Sequence, residues 1–486
     1  MEITPSREEF EALSQRHSVV PVATTLVADR ETPVSAFEKL AGSEPGFLLE
    51  SVEGGENWGR WSFVGWDPVF TLVARDGESA LEGEGPELAD DDPLAVLEDL
   101  VARHTVPDLE GLPPLHSGAV GYLAFDAVRY VEHLPQRPAD DRNLPEMVWQ
   151  FVGSLAAFDR VDQTITLVRN VFVDQGHDYD SAVASLEESV RRLGAGVAYT
   201  PTPVGPDPEP PEWTSTFTRE DFVAAVDVAK SAIRAGDAFQ IVLSQRLAAA
   251  APDDAFDVYR ALRLINPSPF LFFIRHPEVA VAGSSPELMT RVRDGVAYSR
   301  PIAGTRPRGA TPEEDADLAK ELLADPKERA EHVMLIDLAR NDIGRVCEYG
   351  SVTVDDLMVI ERYSHVMHIV SGVSGRLREG VGPVDVLRAT FPHGTVSGAP
   401  KVAAIEFIDR LEPVARGPYA GAAGYIDFSG NVDTAICLRT VVQAGDTAWI
   451  QAGAGIVADS DPEAEYRETM DKAAAALAAI ARAGAL

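Results

Sequence analysis

The chain has 486 residues, 45% of them hydrophobic, and a formal net charge of −35, enough for one large core or two to three ordinary ones. So large an acid excess excludes a binder of phosphate backbones, which displays a basic surface. An anionic ligand must then be held locally, by a few arginines, backbone amides or a metal. No window holds the roughly 18 uninterrupted apolar residues of a membrane helix, and the opening residues, with Glu8, Glu9 and Glu11, lack the basic and apolar regions of a signal peptide. Two cysteines, Cys347 and Cys437, make no disulfide framework, so a reducing cytoplasm is expected, with neither nucleic acid nor membrane as partner.

In chain order, residues 93–103 and 179–193 have helical spacing, and residues 118–125, 149–158 and 164–173 read as strands. Between 199 and 216, Pro201, Pro203, Pro206, Pro208, Pro210 and Pro211 crowd together. Such a stretch carries neither a helix nor a central strand and is expected to be an extended linker. It divides an N-terminal subdomain, 1–198, from a second, 217–486. Thr218 is the expected N-cap of a helix to Ala235, ended by Gly236, and 239–247 reads as a strand. Asp294-Gly295 between 289–292 and 296–299 predicts a type I′ hairpin, and Ser429-Gly430-Asn431 between 423–428 and 434–442 a second hairpin. Sequential hairpins with long helices inserted predict an α+β fold of antiparallel sheets flanked by helices.

Two helix starts present carboxylates. Asp325-Pro326-Lys327-Glu328 combines an N-cap, a first-turn proline and a capping-box glutamate. Glu328 thereby has a structural task, while Glu331, one turn on, can face a site. Ser460-Asp461-Pro462-Glu463 opens the second helix, on which Glu465 and Glu468 share a face. Carboxylates converging from two helices suit Mg²⁺, which takes few of them and completes its shell with water and substrate. Acidic first turns also complement the helix dipole, and spacing alone does not choose. Phe391-Pro392-His393-Gly394-Thr395 leads towards a helix ending near Leu411, and N–H groups at such an opening suit a carboxylate or phosphate. Gln451-Ala452-Gly453-Ala454-Gly455-Ile456-Val457 reads as a link from a strand to the Ser460 helix, where glycines let amides approach an anion closely. It is not a dinucleotide fingerprint. Arg439, read within a strand at 436–442, can grip a carboxylate bidentately or make a surface ion pair.

Together these stretches resemble the chorismate-utilising enzymes over nearly the whole chain. The resemblance is carried by Gly236-Asp237-Ala238-Phe239-Gln240-Ile241-Val242-Leu243-Ser244-Gln245-Arg246, Gly283-Ser284-Ser285-Pro286-Glu287-Leu288 and Pro301-Ile302-Ala303-Gly304-Thr305-Arg306-Pro307. Ser364-His365-Val366-Met367-His368-Ile369-Val370-Ser371, residues 325–346, 394–401 and 451–457 belong to the same set. It implies one large α+β fold of two intertwined subdomains, with the site in the cleft between them. It also implies Mg²⁺ held by Glu331 and Glu468 and, through the ion, the ring carboxylate of chorismate. Substrate contacts are implied at Gly304, Thr305, Tyr419, Arg439, Gly453, Ala454 and Gly455. Glu287 corresponds to the acid that protonates the departing C4 hydroxyl, and His368 to the histidine of a later pyruvate elimination. Thr395 and Gln240 are the further catalytic positions. Hydroxide is a poor leaving group near neutral pH, so an acid must deliver a proton as the C–O bond breaks. Without the resemblance, Glu287 reads as a turn carboxylate and His368 as a core histidine in an apolar strand.

Members that add water carry a lysine base where this chain has Gln240, whereas deprotonated ammonia needs no base. Members that make aminodeoxychorismate typically carry a lysine, able to form a covalent adduct, where this chain has Ala303. Anthranilate and pyruvate are therefore the products the resemblance implies. Leu48-Leu49-Glu50-Ser51 and Asn266-Pro267-Ser268-Pro269-Phe270-Leu271-Phe272 resemble the tryptophan-binding elements of feedback-regulated members. They imply an inhibitor site at Glu50, Ser51, Pro269, Phe270 and Leu271, with Phe270 and Leu271 replacing the more familiar tyrosine and methionine. Neither Cys347 nor Cys437 lies on the glycine-flanked elbow of a glutaminase, so ammonia is expected from a separate glutamine amidotransferase subunit in a hetero-oligomer. The rival readings are an aminodeoxychorismate-forming enzyme and, from another class, a non-catalytic tryptophan-sensing protein.

Overall fold

Apolar runs such as Met147–Phe151 and Ala422–Ile426 are buried at every position, because each strand lies between two cores. In the computed structural model, which describes residues 1–51, 59–176, 178–197, 205, 208–362 and 366–486, successive side chains feed opposite faces. Met147 and Trp149 pack beneath helices, while Val148 between them enters a core shared by two sheets. That middle core holds Phe47, Phe63, Tyr122, Phe272 and Tyr425. Helices cover the outer face of each sheet. Phe37, Phe256 and Leu477 pack over Leu48 and Phe273 on one side, and Leu97, Ile336 and Leu387 over Leu123, Trp149 and Ile426 on the other.

The first sheet runs Val19–Val27, Thr164–Phe172, Ser154–Asp159, Trp61–Trp66, Gly46–Glu50, Phe270–His276, Val279–Ser285, Thr440–Ala444, Thr447–Ile456, Gln240–Ala250 and Trp213–Ser215. The second runs Ile302–Pro307, Val366–Arg376, Val296–Ser299, Leu288–Arg293, Val432–Ile436, Ala422–Ile426, Ala119–Leu123, Met147–Phe151, Phe70–Arg75 and Glu78–Gly83. The ladders between these strands are antiparallel. Each sheet takes strands from both sides of residues 199–216, so the two sequence halves are intertwined. They meet at two seams: Gly46–Glu50 on Phe270–His276, and Ala119–Leu123 on Ala422–Ile426.

The expected helices form at Pro93–Ala102, Tyr179–Leu193, Arg219–Ala235, Pro326–Gly344 and Pro462–Ala483, and Thr218 caps its helix by accepting from the Asp221 N–H. Asp294 and Gly295 both have positive φ, 51° and 73°, as a type I′ turn requires. Four local readings need correction. Residues 149–158 are two strands in different sheets, with the chain turning at Gly153, where a Cβ would meet the Asp67 carbonyl at 2.1 Å. Residues 434–442 divide in the same way, into Val432–Ile436 and Thr440–Ala444. Trp213–Ser215, placed in the linker, is an edge strand on Gln240–Ala250, while 199–204 and 206–207 lie outside the described residues. Glu328 closes no capping box; the Asp325 side chain alone accepts from the Lys327 and Glu328 N–H groups.

Candidate active site

Two neighbouring corners of the sandwich build the first wall. The chain leaves the first sheet after Val279–Ser285 and enters the second at Leu288–Arg293, which places Glu287 in the corner. It returns between Val432–Ile436 and Thr440–Ala444, which places Arg439 in the adjacent corner at φ +47°. Arg439 is thus at a bend and not within a strand. The corners are tied by backbone bonds, Ser284 N–H to the Arg439 carbonyl at 3.2 Å and Ile436 N–H to the Glu287 carbonyl at 3.1 Å. Topology therefore sets the expected acid beside the expected carboxylate-binding arginine.

Glu287 is 3% exposed. Its carboxylate accepts from Thr395 Oγ1 at 2.8 Å, and burial pushes it up to about 8, against the lowering effects of Thr395, the Ile302 N–H and Lys472. His393 Nδ1 lies 3.7 Å away, but burial drives that imidazole down to about 3. At neutral pH both groups are uncharged, so this contact is not an ion pair. His393 Nδ1 instead accepts from the Thr395 N–H at 3.3 Å, which fixes the turn that carries the threonine.

The helix Pro326–Gly344 joins the remaining walls. His332 Nε2 bonds Ser371 Oγ at 2.7 Å, Leu338 presses against Gly394, where a Cβ would sit 2.1 Å from it, and Glu328 Oε2 would lie 3.1 Å from a Cβ on Gly304. Gly304 has φ +70°, and its carbonyl accepts from His368 Nδ1 at 2.9 Å. Since a carbonyl only accepts, the neutral ring carries its proton on Nδ1 and its lone pair on Nε2. Thr305 Oγ1 stands 3.1 Å from the same nitrogen. Burial and then the Arg439 charge lower the His368 pKa, so the neutral ring is favoured. Ser364 and His365 of this motif lie outside the described residues.

Residues Gly453, Ala454 and Gly455 belong to the strand Thr447–Ile456, not to a linking loop. That strand pairs with Gln240–Ala250 along its length, but with Thr440–Ala444 only over Thr447 to Ile450. Beyond Ile450 its other edge has no strand partner among the described residues, leaving backbone groups to face a ligand. A Cβ on Gly455 would stand 2.8 Å from Gln240 Nε2, and one on Gly453 2.8 Å from the Tyr419 hydroxyl. Side chains there would fill the space the glycines leave. Lys472, not singled out from sequence, donates to the Gly453 carbonyl at 3.0 Å and pairs with Glu468 at 2.7 Å. Its spacing of four from Glu468 was the available signal.

Gln240 Nε2 donates to Glu331 Oε1 at 3.2 Å, which links this strand to the acidic helix. Burial raises the Glu331 pKa, and the charges of Glu328 and Glu468 raise it further. Glu465 is likewise raised by burial and by Glu468. The Glu328 and Glu468 charges thus press on Glu331, and the Glu468 charge on Glu465, a repulsion that a cation would relieve. Hard oxygen donors suit magnesium, so Glu331 and Glu468 fit the ion. No group of three or more His, Cys, Asp or Glu ligands exists among the described residues.

The residues expected to form an inhibitor site lie elsewhere, at the seam of the first sheet, where Glu50 pairs with Leu271. Leu49, Ser51, Pro269 and Phe270 line a cavity of about 830 Å³, counting its open mouth, closed on the far side by Tyr425 and Asp433. Ser51 is only 9% exposed, set in the wall and not on the surface, and its carbonyl accepts from Arg160 Nη1 at 2.7 Å.

Residues 44–478 match the family described as chorismate binding enzyme. The chain belongs to that family and is an enzyme that acts on chorismate. It is 47% identical to anthranilate synthase component 1 of Mycolicibacterium smegmatis, over 99% of this chain and 95% of the relative. It is 45% identical to the protein of the same name from Pseudomonas aeruginosa, over 98% and 99%. The crystal structure of anthranilate synthase component I from Streptococcus pneumoniae superposes with a TM-score of 0.79 at 35% identity, covering 93% of this chain and 99% of that one. No helix among the described residues is long and apolar enough to cross a membrane.

Proposed function

We propose that this enzyme converts chorismate and ammonia to anthranilate and pyruvate, with ammonia delivered by a separate glutamine amidotransferase subunit. The observation that carries the reading is the Glu287 carboxyl, buried in the corner adjoining that of Arg439 and pushed up to about 8 by burial, so that it holds its proton at neutral pH. Such a group delivers a proton to a leaving hydroxyl and has little use as a base. Ammonia attacks C2 of the ring as Glu287 protonates the C4 hydroxyl, which departs as water. The new ammonium loses a proton, and His368 Nε2 then removes the C2 proton. The C3–O bond breaks, and the expelled enolate is protonated to pyruvate. Gln240 is an amide and activates no water, and Ala303, 8% exposed in its strand, offers no nucleophile for a covalent adduct. Both features favour direct attack by ammonia.

Glu331 and Glu468 would hold magnesium, with Gln240 orienting Glu331. When bound, the ion supplies positive charge to the ring carboxylate. Gly304, Thr305, Tyr419, Arg439 and the edge from Gly453 to Gly455 hold and orient the rest of the substrate. The seam cavity is the site where tryptophan inhibits, its polar end at Ser51 and the Pro269 backbone and its ring against Phe270. Two buried, unbridged cysteines suit a reducing cytoplasm.

The test mixes the purified chain with chorismate, ammonium at alkaline pH and Mg²⁺. Fluorescent anthranilate with equimolar pyruvate is expected, abolished by chelation or by Glu331→Ala, and glutamine should not replace ammonium without a partner subunit. An aminated product that keeps its pyruvyl group would overturn the assignment.

A further inference from the structure

Beneath the substrate cleft lies an ion pair with almost no access to water. The Arg416 and Glu412 side chains are each 2% exposed and bond at 2.5 and 2.9 Å. Such a pair adds little to stability, because desolvation offsets the attraction and a well-packed apolar pair would serve folding as well. What sets it apart is where its other contacts end. Arg416 Nη1 donates to the Val396 carbonyl and Nη2 to the Val242 carbonyl, both at 2.7 Å. Glu412 Oε1 accepts from the Ser244 N–H at 2.8 Å and from its hydroxyl at 2.9 Å. The guanidinium lies 4.5 Å from the Phe125 ring centroid and 5.6 Å from that of Tyr419.

Each contact stops at, or next to, a group already placed in the cleft. Val396 follows Thr395, whose hydroxyl bonds Glu287. Val242 pairs with Gly455, and Ser244 with Gly453, on the strand that begins at Gln240. Tyr419 is itself part of the wall. One rigid fork therefore touches the turn that carries Thr395, the strand Gln240–Ala250 that pairs with the glycine edge, and the tyrosine.

We propose that Arg416, anchored by Glu412, is a positioning residue that holds Thr395, Tyr419 and the Gly453 to Gly455 edge in mutual register for proton delivery. A lysine has no planar fork and cannot make these divergent bonds at once. The inference rests on Glu287 as the proton donor, because loosening Val396 first disturbs the Thr395 bond to that carboxylate.

The experiment compares Arg416→Lys and Glu412→Asp with the wild type, using chorismate and ammonia across a pH series at fixed free ammonia. Glu412→Asp keeps both charges and only shortens the anchor, which guards against a lysine variant that does not fold. The groups facing Glu287, namely the Ile302 N–H, neutral His393 and Lys472, stay in place. Expected is a loss of kcat of about tenfold or more, since small misplacements of catalytic groups are costly, with KM changed much less. The alkaline limb of the pH–rate profile should move to higher pH, because the Thr395 bond that lowers the Glu287 pKa is weakened. Thr395→Val alone should reproduce that shift, and adding it to Arg416→Lys should change little more. A lowered melting temperature with kcat per folded molecule and the alkaline limb both unmoved would overturn the proposal and leave Arg416 a packing residue. If the wild type itself yields no aminated product, the functional reading fails instead.

Discussion

Glu50, at the seam of the first sheet, and Glu287, at the corner between the sheets, are almost equally hidden, at 5% and 3% exposed, yet they differ in every partner. Glu50 accepts from Arg263 Nε at 2.8 Å, from Tyr259 at 2.7 Å and from Arg160 at 3.2 Å. Two guanidiniums and a phenol surround the charge. Glu287 has a threonine hydroxyl and a backbone N–H, and its pKa is pushed up to about 8. Burial alone thus assigns no role; the cations supplied decide whether a hidden glutamate is an anchor or a proton donor. The seam glutamate is anchored by two arginines and a phenol. The corner keeps its proton and can do chemistry.

The sharpest way to break this contrast is Glu287→Gln. The amide keeps the shape but has no proton to deliver, so kcat should fall by about 10² to 10⁴, while chorismate still binds with Mg²⁺ in a calorimetric titration. Retained turnover would place the acid elsewhere. The same carboxyl sets a pH limb. It is active when protonated, so at constant free ammonia kcat/KM should hold below pH 8 and decline as pH rises through about 8. A limb that instead fell towards acid would make Glu287 a base. His368→Gln comes next. The amination step should survive within about tenfold while pyruvate release fails, since removing one general base costs about 10² or more. Stopped reactions should then accumulate an aminated product that keeps its pyruvyl group; equal loss of both steps would undo a dedicated elimination role.

Much of the corner was legible in sequence, but only as motifs. The segments around Glu287, Gly304, Glu331 and His368 were recognisable in order, and the caps at Thr218, Asp325 and Asp461 marked their helices because capping is local. The corners themselves were not legible. Residues 149–158 and 434–442 are mostly apolar, with Gln150 and Ser154 in the first and Thr434, Arg439 and Thr440 in the second, and a strand that changes sheets midway keeps much the same composition on both sides of the turn. Only Gly153 and the left-handed Arg439 mark the crossings, and a non-glycine residue at positive φ leaves no sequence signal. The partners of Glu50 come from positions 110 to 213 residues away, which no periodicity reports. Arg416 was missed for the same reason, since it acquires its meaning from a strand 174 residues away, whereas Lys472 had a local signal in its spacing of four from Glu468.

At the seam, substitutions should affect binding and stability and leave chemistry alone. Ser51→Phe fills the cavity mouth, and tryptophan inhibition should vanish while uninhibited kcat stays within about twofold, since the link to the corner, through Asn266 Oδ1 and Arg439 Nη1 at 3.4 Å, is left in place. Glu50→Gln removes the anion that Arg160 and Arg263 share. Unfolding in urea should show a loss of about 1.5–3 kcal/mol, the range for hydrogen bonds to a charged group, moderated by the partial exposure of both arginines. A comparable loss of kcat in either variant would mean that the two regions are coupled.

The smallest effect tests the rule away from both regions. His104 sits among Phe70, Phe151, Phe172 and Phe428, with ring centroids 4.9 to 6.4 Å away, and neither ring nitrogen has a hydrogen-bond partner among the described residues. Burial lowers its pKa from 6.5 to about 4, outweighing the Asp174 carboxylate, whose charge raises it. The unfolded chain therefore takes up this proton first on acidification. Stability from the neutral ring is complete above pH 6.5 and is lost as pH falls towards 4. His332 and His393, pushed down to about 4 and about 3, add slopes of the same sign, so melting temperature should decline steadily across this window. His104→Phe replaces the ring with another that suits the aromatic cluster and removes one titrating group. Its melting temperature should equal that of the wild type near pH 7.5 and exceed it by about 1 to 2 °C near pH 5, the shift expected for about 1 to 2 kcal/mol in a chain of this size. Parallel curves at both pH values would mean that His104 finds an anionic partner on protonation, and partner supply, not burial, would again decide the outcome.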